Sequence, residues 1–148
     1  MTERDLQAIE AIKQLKACYW RAVDTKDSAM LHSVLAHDCL VDFRDAMGAH
    51  NEAQLWRTAE RFCADTMAVT AGVVTVHHGF PPEITVTAPD EAEAIWPFED
   101  LVWVEGTASA LPFRRFRGWG HYRDRYRKTE TGWKIARTTI SRLRIETE

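Results

Sequence analysis

Apolar residues in the first part of the chain recur every three or four positions. Leu6, Ile9, Ile12, Leu15, Tyr19 and Val23 share one helical face, and Lys13, Gln14 and Arg21 lie mostly off it. This predicts a helix over most of 4–24. Asp27 is placed to cap a second helix over 28–36, carrying Met30, Leu31, Val34 and Leu35. Asn51 is placed to cap a third over 51–66, carrying Leu55, Trp56, Ala59 and Phe62. Between these, residues 39–43 read as a short strand and 47–50 as a turn. Near residue 72 the pattern changes to alternation of strand type. Val73 to His78 is rich in β-branched residues and bounded by Gly72 and Gly79. Glu83 to Thr87 and Ala92 to Val104 follow, the second interrupted by Pro97, which predicts an irregularity or a sheet edge there. Two long strands, Phe116 to Lys128 and Trp133 to Arg144, flank the hairpin signal Glu130-Thr131-Gly132. Three helices followed by mostly antiparallel strands define an α+β domain, most economically a curved sheet wrapped around the long helix. Such a cone is open at one end, where small molecules bind preferentially.

The chain has 148 residues, 45% of them apolar and 28% charged, which fits one globular domain over 1–148. The formal charge of −3 gives no general attraction for nucleic acid or an acidic membrane. The charged N-terminus, Met1 to Asp5, is followed by no apolar stretch, so a cytoplasmic location is expected. Cys18, Cys39 and Cys63 are odd in number and widely spaced, which suits reduced thiols packed as small apolar groups. The segment Phe113 to Arg117, followed by Arg123, Arg125, Arg127 and Lys128, mixes aromatic and basic residues as nucleic-acid platforms do. Strand alternation, however, puts Tyr122 and Tyr126 on one face and the arginines on the other, as in a half-buried strand with a solvated side. No glycine-rich phosphate loop stands between a strand and a helix, so no nucleotide cofactor is expected. The histidines lack standard ligand spacing, and no metal is expected.

The order of several short motifs resembles the SnoaL-like family of the nuclear transport factor 2 superfamily. They are Ala11 to Tyr19 leading to Val23 to Asp27, then Thr75 to Gly79, Pro82 to Ile84, Ala94 to Trp96 with Glu99-Asp100, Gly118 to Tyr122, Gly132 to Ile135 and Thr139 to Leu143. The resemblance covers nearly the whole chain and implies a cone of three N-terminal helices packed in a strongly curved, mixed, mostly antiparallel sheet. Members of this family resembling bile-acid 7α-dehydratase, scytalone dehydratase and hexachlorocyclohexane dehydrochlorinase catalyse eliminations without a cofactor. By that resemblance Tyr19, Asp24, His77 and Asp100 are candidate catalytic residues and Arg142 a candidate substrate ligand. The resemblance also implies a homo-oligomer, a trimer slightly favoured over a dimer, with strand residues such as Leu101 to Trp103 helping to cover the exposed sheet face.

The chemistry of these residue types fits that assignment. Elimination beside a carbonyl needs a base for the carbon acid and a donor for the oxygen that gains charge. His77 suits the base, Asp24 the partner of its second ring nitrogen, and Tyr19 the donor. Asp100 fits a substrate hydroxyl or the acid role, and Arg142 a carboxylate, either Asp100 or one on the substrate. His121, Trp56 and Phe43 are further candidates for the pocket wall. His77 and His78 are adjacent on a strand, so only one of them faces the pocket. The function expected is a lyase or isomerase acting on a hydrophobic, oxygenated small molecule. The alternative is a non-catalytic binding module or an accessory subunit of an aromatic-ring oxygenase. Each residue also has a plainer role open to it: Tyr19 in the core, Asp24 as a helix terminator, Arg142 as a surface strand residue, and His121 as a strand residue.

Overall fold

The computed structural model describes residues 1–148. Helix α1, Glu3–Thr25, starts at a capping box in which Thr2 and Asp5 exchange hydrogen bonds, and ends at Lys26 in the left-handed conformation. Its buried face is Ala8, Ile12, Lys16, Tyr19, Trp20, Ala22 and Val23. That stripe is rotated from the sequence expectation: Leu6 is 55% exposed, and a lysine occupies the centre of the buried face. Helix α2, Ser28–Val34, is capped by Asp27. Strand β1, Leu35–Asp42, follows without a break and is longer than expected.

The third helix departs from the sequence reading. Asn51 does not cap it; its side chain accepts the amide of Ala53, closing a turn. The chain then forms a two-residue strand, β2, Leu55–Trp56, antiparallel to β1. Helix α3, Ala59–Val69, starts eight residues later than the expected position, with Thr58 as its cap. The apolar pair Leu55-Trp56 belongs to the sheet, which a periodicity argument cannot distinguish from a first helical turn.

The remaining strands are β3, Val73–Gly79, β4, Glu83–Ala88, β5, Glu91–Val104, β6, Arg115–Thr129, and β7, Gly132–Thr147. The sheet runs β2-β1-β7-β6-β5-β3, with β4 also on β5, and only the β1–β7 pair is parallel. Pro97 does not break β5 or lie on an edge strand. It sits where the neighbouring chain passes from β3 to β4, and its carbonyl accepts the amide of Phe80. Its missing N–H faces that crossover rather than a ladder partner.

The even-numbered side of β5 and β6, from Ala92 to Phe98 and from Phe116 to Tyr126, faces the helices. Edge-on aromatic contacts link Trp20, Trp96, Tyr19, Tyr122, Phe43, Phe62 and Trp56 across this interior. Gly79 fits the helix to the sheet, since a Cβ there would lie 2.1 Å from the Trp20 ring. No helix is long and apolar enough to cross a membrane. Burial raises the thiol of Cys39 to about 12 and that of Cys63 to about 11, so neither ionises near neutrality.

Candidate active site

Asp24 lies in the last turn of α1, which has no basic residue. A carboxylate at a helix C-terminus is electrostatically unfavourable unless other groups hold it. Here three donors do so. His77 Nδ1 is 2.6 Å from Asp24 Oδ1, the Thr75 hydroxyl donates to the same oxygen at 2.8 Å, and the His77 amide donates to Oδ2 at 2.9 Å. Thr75 and His77 are two apart on β3, so both side chains face inward. β3 is the edge strand, and the His77 amide points off the sheet, where Asp24 receives it. A carboxylate on Nδ1 selects the tautomer with its proton there, which leaves the lone pair on Nε2. Nε2 has no protein partner, and the His77 side chain is 12% exposed.

The register puts Asp100 of β5 directly opposite His77. Because the His77 amide is turned toward Asp24, this is a non-hydrogen-bonded pair, in which facing side chains approach most closely. Asp100 is held by Arg142 of β7 through two bonds of 2.6 and 3.0 Å, and the third guanidinium nitrogen donates to the Ala46 carbonyl at 2.6 Å. The arginine also stacks over Phe98 and Phe116.

Gly118, between β5 and β7, makes room for the pair: a Cβ there would lie 2.4 Å from Arg142 Nη1 and 2.8 Å from Asp100 Oδ1. Gly118→Ala should therefore separate Arg142 from Asp100 and cost about 1–3 kcal/mol of stability. A denaturant melt showing no loss would contradict this role.

The structure places the other candidates as follows. Tyr19 is on α1, five residues before Asp24, and is 2% exposed. It packs edge-on against Tyr122, and burial, then Tyr122, holds its phenol well above the ordinary range. No hydrogen bond joins Tyr19 to Asp24, His77, Asp100 or Arg142. Phe43 touches Tyr122 and Phe62, so it does reach the interior. Trp56 stands further out, donating to Asp65 at 2.9 Å. His121 is brought to a different place. Tyr122 next to it faces inward, so alternation turns His121 to the outer face, opposite Pro97 and Ser141. His78 is also on the outer face, bonded to Glu99 at 3.0 Å.

Sequence reasoning missed Thr75, Lys16 and Asp124. The available signals were Thr75 two residues before His77, a lysine in step with Ile12 and Tyr19, and an acid alternating between Tyr122 and Tyr126. A groove of about 480 Å³ lined by residues such as Glu83, Glu93, Arg123 and Arg137 lies on the outer sheet face. It contains none of the Asp24, His77 and Asp100 set. Polar groups converge instead around Asp24 and His77, with Asp100 and Arg142 beside them.

The segment after β1 covers this end of β7 and supplies the Ala46 carbonyl to Arg142. On it His50 bridges Asp45 and Glu52, both at 2.7 Å, and Glu52 meets Arg44, which also grips Asp42. Bonds to carboxylates from both ring nitrogens require the imidazolium. Glu52 first, then Asp45, raise the His50 pKa. A raised folded pKa gives stabilisation that is fully present below the unfolded value and lost as pH rises through the folded one. Amides of this segment should therefore exchange hydrogen faster above the folded pKa than below the unfolded one, after correction for the intrinsic rate. Equal protection on both sides would remove the His50 bridge.

The fold and the site define a class: an α+β cone carrying an Asp–His pair beside an Asp–Arg pair. The SnoaL-like domain profile matches residues 4–139, and the chain belongs to that family. Solved structures of similar shape include a candidate scytalone dehydratase from Novosphingobium aromaticivorans, 17% identical, spanning 100% of this chain and 92% of that one, with a TM-score of 0.82. A candidate aromatic ring hydroxylase from the same organism is 21% identical over 97% and 94% of the two chains, with a TM-score of 0.81. A hexachlorocyclohexane dehydrochlorinase from Novosphingobium barchaimii is 14% identical over 98% and 92%, with a TM-score of 0.77. At these identities the likeness establishes the nuclear transport factor 2-like fold.

Proposed function

We propose that this chain is a cofactor-independent lyase of dehydratase type, or an isomerase, acting on a hydrophobic oxygenated small molecule. The observation that carries the reading is the 2.6 Å contact between Asp24 Oδ1 and His77 Nδ1, with Nε2 left free opposite Asp100. A binding module needs no proton-transfer pair. In this reading Nε2 takes a proton from the carbon beside a carbonyl, and Asp24 stabilises the imidazolium as it forms. The C–H electron pair becomes an enolate, whose oxygen is met by the Tyr19 hydroxyl. In a dehydration the C–O bond at the next carbon then breaks, a C=C bond forms, and the His77 proton leaves with the hydroxide as water. In an isomerisation the same proton returns at another carbon. Asp100, oriented by Arg142, accepts a hydrogen bond from a substrate hydroxyl. The dehydratase and dehydrochlorinase named among the structural neighbours fit this class of reaction.

The second reading is a non-catalytic binding or accessory role, favoured by the near-complete burial of Tyr19 and Tyr122 within the aromatic interior. One experiment separates the two readings. The protein is incubated in D₂O with a panel of aromatic and polycyclic ketones and β-hydroxy ketones, followed by NMR. Deuterium entering beside the carbonyl, or loss of water, supports the lyase or isomerase; binding without exchange across the panel supports the second reading. A homo-oligomer through the outer sheet face, around Leu101, Trp103 and Trp119, belongs to the same proposal. A monomer by sedimentation at micromolar concentration would remove that part.

A further inference from the structure

A second ion pair lies deeper in the same interior. The side chains of Lys16 and Asp124 have no solvent exposure, and Nζ is 2.7 Å from Oδ2. Replacing so dry a pair by apolar residues is often neutral or stabilising, so stability alone does not explain it. Its neighbours offer another reason. The ammonium lies 3.7 Å from the ring centroid of Tyr122, 4.6 Å from that of Tyr19 and 5.1 Å from that of Trp20. Asp124 Oδ2 also accepts the Tyr126 hydroxyl at 2.7 Å, and that oxygen accepts Trp96 Nε1–H at 2.9 Å. The chain has three tyrosines, so every phenol in the protein touches this one pair.

Besides Lys16 Nζ, which meets only Asp124, the buried side-chain atoms Trp20 Nε1, Asp124 Oδ1 and Thr138 Oγ1 have no directed hydrogen bond. All four belong to this region: Trp20 is one turn beyond Lys16, and Thr138 faces Asp124 across the strands. Lys16 Nζ is held by the charge of Asp124 Oδ2 at 2.7 Å. The ammonium is aimed partly at the Tyr122 ring, a cation–π geometry. Tyr122 in turn bridges two layers. Below it are Lys16 and Asp124; beside it, Phe98 carries the guanidinium of Arg142, the partner of Asp100.

We infer that Lys16, held by Asp124, is a positioning residue for the phenols of Tyr19 and Tyr122, pinning both rings so that their hydroxyls are aimed as donors to an oxygen of the bound molecule. The cation acts through the rings: its attraction to their faces, 3.7 Å from the Tyr122 centroid and 4.6 Å from that of Tyr19, holds each ring in one orientation. Burial holds both phenols above their ordinary range, so they remain protonated donors and do not act as bases. The inference rests on the proposed role of Tyr19 as donor to a substrate oxygen.

The test uses the full chain labelled with ¹³C at tyrosine Cζ, which gives three NMR signals assigned by Tyr→Phe variants. In Lys16→Met/Asp124→Asn both charges are gone, while the Asn carbonyl still accepts the Tyr126 hydroxyl. The Tyr19 and Tyr122 signals should shift and their ring flips should quicken, with Tyr126 moving least. Lys16→Arg, which keeps a cation, should restore ring order at both. If that double variant does not fold, Lys16→Met/Asp124→Leu, which removes both charges and replaces them with apolar volume, makes the same comparison at Tyr19 and Tyr122. Tyr19 and Tyr122 signals that stay at their wild-type positions in a folded charge-free variant would overturn the inference. These readouts need no turnover. Phenols that respond in a protein showing no proton exchange with the ketone panel would defeat the lyase reading alone.

Discussion

His77→Ala should lower the rate of deuterium exchange into a ketone that the wild-type protein turns over by about 10²–10⁴-fold, the usual contribution of a positioned general base. The imidazole is the only group in the site with a free basic nitrogen, and its orientation is fixed through its other nitrogen at 2.6 Å. Asp24→Asn should cost a similar factor. The amide keeps the shape but not the charge, so it neither holds the Nδ1–H tautomer nor stabilises the imidazolium. The double variant should be little worse than either single one, because the two act as a unit. His78→Ala is the control: that ring lies on the outer face with Glu99 and should leave the rate unchanged. NMR exchange rates for the four variants decide the matter. A His77→Ala protein that exchanges at the normal rate would end the proposed mechanism and leave the fold untouched.

Lys16→Met alone should destabilise the protein by about 3–5 kcal/mol, because it strands the Asp124 carboxylate in a dry interior. Asp124→Leu alone should cost a comparable amount by stranding the ammonium. Lys16→Met/Asp124→Leu should recover most of the loss, since the charges leave together and apolar volume replaces them. Desolvation lowers the Lys16 pKa and Asp124 partly restores it, so the stability of the single Asp124 variant should depend on pH on the alkaline side. With its partner gone, Lys16 can shed its proton as pH rises, and the destabilisation should ease toward alkaline pH. Urea melts of the three variants across pH measure this cycle. Equal stability of Lys16→Met and wild type would show that the pair is not dry.

The fold was largely legible because its signals are local. The first helix, the β-branched run before His77 and the hairpin at Gly132 each follow from a short stretch of sequence, and the structure has all three. The third helix was misplaced where a local signal was ambiguous: Asn51 closes a turn instead of capping a helix, and Leu55-Trp56 pairs with β1. Pro97 predicts an irregularity or a sheet edge because a strand seen alone does not reveal a gap between its neighbours.

Sequence alone determined the residue types and their faces. Thr75 and His77 share one side of a strand, and Tyr122, Asp124 and Tyr126 share another, because strand alternation is a property of the backbone. Only the tertiary structure decided which of these faces meet. Asp24 is 53 residues from His77 and Asp100 is 42 from Arg142, and no periodicity reports on separations of that size. The β3–β5 register places Asp100 opposite His77, and a shift of one residue would turn it to the outer face. The same holds for Lys16. Read along the chain it is a polar residue interrupting an apolar stripe; its burial is tolerable only because the sheet brings Asp124 and three aromatic rings to it, and burial of a charge depends on partners that only folding assembles.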